Sequence, residues 1–86
     1  MKLPYKYTVA DEVLGIFSSV SSARRQRLLS IFSQIAADPF LKGDTIQKDA
    51  TGRECQVKRF GEWIVIYWAE HLADQVHIVS VERLRL

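Results

Sequence analysis

Apolar and polar residues alternate at the start of this chain and then change period. In "LPYKYTV", residues 3 to 9, Tyr5, Tyr7 and Val9 stand two apart, the spacing of a half-buried strand. Pro4 has no amide hydrogen to donate to a neighbour, so it marks a sheet edge or the start of the strand. From Asp11 the spacing becomes helical. Val13, Ile16, Phe17 and Val20 fall on one stripe, and Asp11 and Glu12 place negative charge in the first turn, where the helix dipole favours it. Gly15 weakens this helix. The polar run "SVSS" at 19 to 22 interrupts the stripe, and Ser21 or Ser22 suits the cap of a second helix beginning near Ala23. Leu28, Phe32, Ile35 and Ala36, with Leu29 alongside, are its apolar positions. Asp38-Pro39 ends it, because a residue before proline avoids the helical region.

The second half changes to strand spacing. Residues 40 to 52 hold Gly43, Asp44, Asp49 and Gly52 and read as a loop with a short turn. Three strands follow at 53 to 60, 63 to 69 and 75 to 83, joined by Gly61-Glu62 and by "EHLAD" at 70 to 74. The unbroken apolar run from Trp63 to Trp68 predicts a central strand covered on both faces. The order strand, helix, helix, strand, strand, strand is that of an α+β domain. A helical hairpin packs on one face of a small antiparallel sheet, and the first strand joins the sheet beside the later ones.

A chain of 86 residues allows one domain, spanning 1–86, and one modest core. Its 48% hydrophobic content excludes a disordered chain. A net charge of +2 means that any nucleic-acid contact must come from local clustering rather than general basicity. Cys55 is the single cysteine, so there is no intrachain disulfide and no cysteine spacing for a metal. No glycine-rich phosphate loop or paired-carboxylate motif is present, and neither cofactor nor metal is expected. Pro4, Tyr5, Lys6 and Tyr7 interrupt any apolar leader, and no run approaches the roughly 20 apolar residues of a membrane span. The expected setting is a reducing cytoplasm, with no membrane partner.

Three stretches carry a family resemblance. They are "RRQRLLSIFSQIAADPF", a basic helix ending in Asp-Pro; "GRECQVKRFGEWIVIYW", a strand, a glycine turn and an apolar strand; and "QVHIVSVERL", a last strand followed by basic residues. Together with the element order they resemble the RelE/ParE superfamily of toxins from bacterial type II toxin–antitoxin modules, over nearly the whole chain from Tyr5. The resemblance implies a small toxin neutralised by a co-encoded antitoxin. RelE-like members cut mRNA on the ribosome, and ParE-like members poison DNA gyrase without enzymatic activity. A degenerate member would keep antitoxin binding alone. RelE-like nucleases usually place an arginine after the aromatic of the central strand, where this chain has Ile64 after Trp63. They often carry a tyrosine or histidine beside the last strand, where this chain has Arg83 and Arg85. The basic strand is retained as Arg53, Lys58 and Arg59.

RNA cleavage of this kind needs a base for the ribose 2′-hydroxyl, an acid for the leaving oxygen and cations for the charge that builds on phosphorus. The candidates for that chemistry are Arg53, Arg59, His71, His77 and Arg83, with Lys58, Arg85, Arg24 and Arg25 as nucleic-acid contacts. Strict alternation puts His77, Val79, Val81 and Arg83 on one face of the last strand, and Arg53, Cys55, Val57 and Arg59 on one face of the basic strand. Arg53, Lys58, Arg59, Arg83 and Arg85 would then converge on one basic surface. The plainer readings are a partly buried sheet histidine for His77, an exposed turn for His71, and solvated ion pairs for each arginine alone. Tyr67 and Trp68 read as core, and Cys55 as an inert strand residue.

Overall fold

The computed structural model describes residues 4 to 85, so Leu3 of the first expected strand lies outside the described residues. The elements run β1 (Lys6–Val9), α1 (Asp11–Ser19), α2 (Ser22–Ala37), β2 (Thr45–Lys48), β3 (Glu54–Phe60), β4 (Trp63–Glu70) and β5 (Gln75–Arg83). Ser21 caps α2, its side chain accepting from the Arg24 amide. Gly61 makes the β3–β4 turn at a φ of 63°, a left-handed conformation that costs glycine little.

The strands form one sheet in the order β1-β5-β4-β3-β2, with β4 at its centre. Three antiparallel pairings link β2 to β5 in sequence order. The first strand joins the far edge parallel to β5, with Tyr7 opposite Val76 and Thr8 opposite His77. The sheet is therefore mostly antiparallel with one parallel pair. That pair needs no tight turn, since the whole intervening chain lies between its strands.

One strand was not legible in the sequence. The stretch expected to be a loop, 40 to 52, contains β2, paired through Thr45–Val57 and Gln47–Cys55. All four residues of β2 are exposed, so no burial imposes an alternating pattern. Local hydrogen bonding places it instead. The Asp44 amide donates to the Val57 carbonyl, and the Asp49 carboxylate accepts from the Thr51 and Arg53 amides to close the turn into β3.

The core lies between the helices and one face of the sheet. Trp63, Val65 and Tyr67 of β4 and Val76, Ile78 and Val81 of β5 meet Leu28, Ile31, Phe32 and Ile35 of α2. Each such side chain contributes about 1.5–3 kcal/mol by leaving water. The other face of β4, Ile64, Ile66 and Trp68, is only half-buried. This corrects the expectation of cover on both faces. A single helical hairpin reaches one face, and the apolar run continues because the far face is itself apolar.

A bulge corrects the expected alternation in β5. Ile66 pairs with Ser80, but Tyr67 pairs with Ile78, leaving Val79 as the extra residue. Residues on either side of it therefore change partners. His77 shares the open face with Ser80 and Glu82, whereas Arg83 sits opposite Trp63 on the helix side. His77 and Arg83 do not look across the same sheet face.

Candidate functional site

Three adjacent strands, β1, β5 and β4, and the residue just before β3 bring Thr8, His77, Trp68 and Arg53 into a row on the open face. Thr8 is opposite His77, and His77 is opposite Trp68. The His77 imidazole stacks on the Trp68 indole with centroids 4.3 Å apart and planes 26° apart. The Arg53 guanidinium carbon lies 3.9 Å from the indole centroid. Because β3 and β5 flank β4, cation and imidazole approach the indole from opposite sides.

Both nitrogens of His77 are held. Nδ1 is 2.7 Å from the Thr8 hydroxyl oxygen, and Nε2 is 3.0 Å from a Glu70 carboxylate oxygen. The carboxylate fixes the tautomer: Nε2–H donates to Glu70, and Nδ1 accepts from the Thr8 hydroxyl. A histidine oriented this way can take a proton through the hydroxyl while the carboxylate stabilises the resulting imidazolium. Arg53 supplies positive charge one ring away.

A cleft adjoins the row. The segment from Asp38 to Asp44 folds over β3 and β4, tied down by hydrogen bonds that include the Asp44 amide to the Val57 carbonyl and two more at the cleft. The Tyr67 hydroxyl donates to the Leu41 carbonyl at 3.0 Å, and the Gly43 amide donates to the Gln56 side-chain oxygen at 2.7 Å. Burial, with Asp38 and Asp44 nearby, pushes the Tyr67 phenol up to about 12, so it stays a donor. The cleft has a volume of about 350 Å³ and is lined by Phe40, Arg53, Gln56, Tyr67, Trp68 and His71 among others. His71 lies exposed in the β4–β5 turn, as its plainer reading had it, but it is held there. Its Nδ1 is 2.9 Å from the Tyr5 hydroxyl, and its ring stacks on Phe40 at 4.4 Å and 7°.

The remaining cations lie elsewhere, which corrects the expected single basic surface. Arg53, just before β3, and Arg59, near its far end, stand six residues apart, about 20 Å at strand rise. The Arg59 side chain donates to the Gly61 carbonyl. Lys58 is opposite Val65 on the helix side, with its ammonium 3.8 Å from Asp44. Arg83 and Arg24 both meet Glu62, at 3.4 and 3.1 Å. The Arg24 hydrogen bond first, and then the Arg83 charge, hold the Glu62 carboxyl below its ordinary pKa of 4.5. Arg85 follows the end of β5 and Arg25 is exposed on α2. Arg53, His71 and His77 thus gather at one end of the sheet, and Arg59, Arg83, Arg85 and Arg24 at the other.

Trp68 sits on the open face rather than in the core, whereas Tyr67 is core as expected. Thr8 and Phe40 were not singled out from the sequence, and the pairing of Glu70 with His77 was not legible there. Nothing short of the strand register, and of the fold of the loop after α2, could have found them. Cys55 is buried, and desolvation, with Asp49 adding to it, raises its thiol pKa. Among the described residues no group of three His, Cys, Asp or Glu side chains is arranged to hold a metal ion.

No protein-family model and no curated protein matches this sequence. Solved structures do. The RelE chain of the archaeal RelE–RelB complex from Pyrococcus horikoshii OT3 superposes with a TM-score of 0.72 at 15% identity, over 94% of this chain and 96% of that one. The isolated E. coli RelE toxin gives 0.70 at 14% identity, over 95% and 86% of the two chains. A doubly arginine-substituted E. coli RelE in the free state also gives 0.70 at 14%, over 94% and 84%. The described α+β architecture, a helical hairpin on a mostly antiparallel sheet, is the RelE fold.

Proposed function

We propose that this protein is a RelE-like toxin of a type II toxin–antitoxin module that cleaves mRNA on the ribosome. One observation carries the catalytic part: His77, held by Thr8 and Glu70, faces Arg53 across Trp68 on a sheet face that no helix covers. In the proposed reaction His77 accepts the ribose 2′-hydroxyl proton through Thr8. The 2′-oxygen attacks phosphorus and the bond to the 5′-oxygen breaks. The imidazolium returns the proton to that oxygen, leaving a 2′,3′-cyclic phosphate and a 5′-hydroxyl. Arg53 offsets the charge on the phosphorane.

The antitoxin part rests on the fold and on a second surface. Tyr7, Val9, Leu14, Phe17, Leu29 and Phe32 line an apolar groove of about 240 Å³ between β1 and the helices. Leu14 is 49% exposed there. Such a groove suits the apolar side of a segment that folds as it binds, and the Pyrococcus RelE was solved with RelB. The proposed site of action is the cytoplasm. No helix among the described residues is long and apolar enough to cross a membrane.

The test is cleavage of a defined mRNA by purified protein with and without ribosomes, alongside growth with and without the neighbouring gene. We expect cuts only when ribosomes are present, and rescue by the neighbour's product. His77→Gln should slow cleavage by about 10²–10⁴-fold, with an unchanged melting temperature and an intact antitoxin complex. Intact mRNA with accumulating cleaved DNA would transfer the target to gyrase. No growth arrest at all would leave only antitoxin binding.

A further inference from the structure

The geometry points to Asp49 as the residue that positions Arg53, so that the guanidinium is fixed over Trp68 before RNA arrives; the inference rests on the reading of this chain as an RNA-cutting toxin. A cation that offsets charge on a phosphorane works best when it needs no reorganisation as the charge builds. Arg53 by itself lacks that order. It stands just outside β3, after a turn that holds Gly52 at a φ of 84°, and its side chain is 47% exposed. Holding a long exposed side chain in one geometry costs rotamer entropy. Contact with the face of one indole leaves a guanidinium free to turn in its own plane.

Asp49 meets every polar group of Arg53. Its Oδ1 accepts from the Arg53 amide at 3.0 Å, its own amide donates to the Arg53 carbonyl at 2.9 Å, and its Oδ2 lies 3.8 Å from Arg53 Nη1. The same Oδ1 accepts from the Thr51 amide and hydroxyl at 2.9 and 2.6 Å. Three donors on Oδ1 fix the carboxylate, and Oδ2 is left turned to the guanidinium. The Thr51 hydroxyl above all, with the Arg53 and Thr51 amides and the Arg53 charge, outweighs desolvation and lowers the Asp49 pKa, so the group is an anion at neutral pH. Ring and carboxylate restrain different motions. Trp68 sets the height of the guanidinium, 3.9 Å from the ring centroid, and Asp49 sets how the planar fork is turned. Among the described residues Asp49 is the only ion partner of Arg53. It faces one side of a group with five N–H donors, so the others are left for phosphate oxygens.

The test separates positioning from support of the fold. Asp49→Asn keeps an Oδ1 acceptor for the turn, but its NH2 group would face the guanidinium, donor against donor. Its melting temperature should match the parent's. On ribosome-bound mRNA its kcat should fall about tenfold through misplacement of Arg53. KM should not rise, because the change removes a negative charge from the path of the phosphates. In the Arg53→Ala background the same substitution should slow cleavage no further. A second readout needs no cleavage. The Nε–H proton of Arg53, identified in proton–nitrogen correlation spectra by its loss in Arg53→Lys, should lie upfield in the parent through the indole ring current. In Asp49→Asn it should return toward the position of a free arginine. An unchanged kcat, a loss carried wholly by KM, equal slowing with and without Arg53, or an unmoved Arg53 resonance overturns the proposal. If mRNA is cut and the resonance does not move, the nuclease reading stands and the positioning role falls. If the parent cuts no mRNA, the nuclease reading falls, and the resonance alone decides whether Asp49 positions Arg53.

Discussion

Gly43→Ala should be among the most damaging single-methyl changes in this chain, for a reason visible only in three dimensions. A Cβ at Gly43 would lie 2.5 Å from the Val57 carbonyl oxygen, 2.7 Å from its nitrogen and 2.9 Å from its carbonyl carbon. These are backbone atoms of β3, which is paired on both sides, to Thr45 of β2 and Ile66 of β4. The strand cannot yield, so the loop must. Moving the loop strains three hydrogen bonds: Gly43 amide to Gln56, Asp44 amide to the Val57 carbonyl, and Arg59 amide to the Asp44 carboxylate, at 2.7, 2.8 and 2.9 Å. Overpacking alone costs about 1–3 kcal/mol, and each lost hydrogen bond adds roughly 0.5–1.5 kcal/mol. A loss of about 2–4 kcal/mol is expected, which in a domain of this size lowers the melting temperature by about 10–25 °C. Urea unfolding of Gly43→Ala beside Gly15→Ala isolates the steric cause. Gly15 has open space within 4 Å and lies in α1, so alanine there should stabilise by roughly 0.5–1 kcal/mol. If Gly43→Ala unfolds within about 0.5 kcal/mol of the parent, a range ordinary for surface changes, the close contact with β3 is refuted.

Three further outcomes follow from burial and charge. Ile31→Ala, at a position with no exposure, should cost about 2–5 kcal/mol in urea unfolding. Ile66→Ala, half-buried on the open face, should cost clearly less; equal losses would mean that this face is covered in solution. Glu62 has a folded pKa below its unfolded one, so its ion pairs stabilise the protein above the ordinary carboxylate range, and that gain is lost as pH falls through the folded value. The melting-temperature difference between the parent and Glu62→Gln should therefore be largest near neutrality and vanish in acid; a pH-independent difference would show that Arg24 and Arg83 do not set it. Cys55, 1% exposed with a raised thiol pKa, should react with a thiol reagent only as fast as the protein opens, and rapid labelling of the native state would contradict its burial.

What the sequence determined by itself was everything governed by local periodicity. The helical stripes of α1 and α2, the Ser21 cap, the Asp-Pro stop, the Gly61 turn and the strands β3 to β5 all follow from which residues must be buried and which φ values they accept. Burial of one face is a strong local signal, and it carried the α+β architecture. The tertiary structure decided whatever depended on register. Wholly exposed β2 had no apolar pattern to announce it. One extra residue, Val79, turned His77 and Arg83 to opposite faces, because side chains alternate with a period of two and a bulge resets the count. The same register set His77 between Thr8 and Trp68, and the folding of residues 38–44 over β3 brought Phe40 to His71, side chains 31 positions apart in sequence. Sequence spacing fixes what a residue can bury; only the pairing of distant strands fixes what it faces.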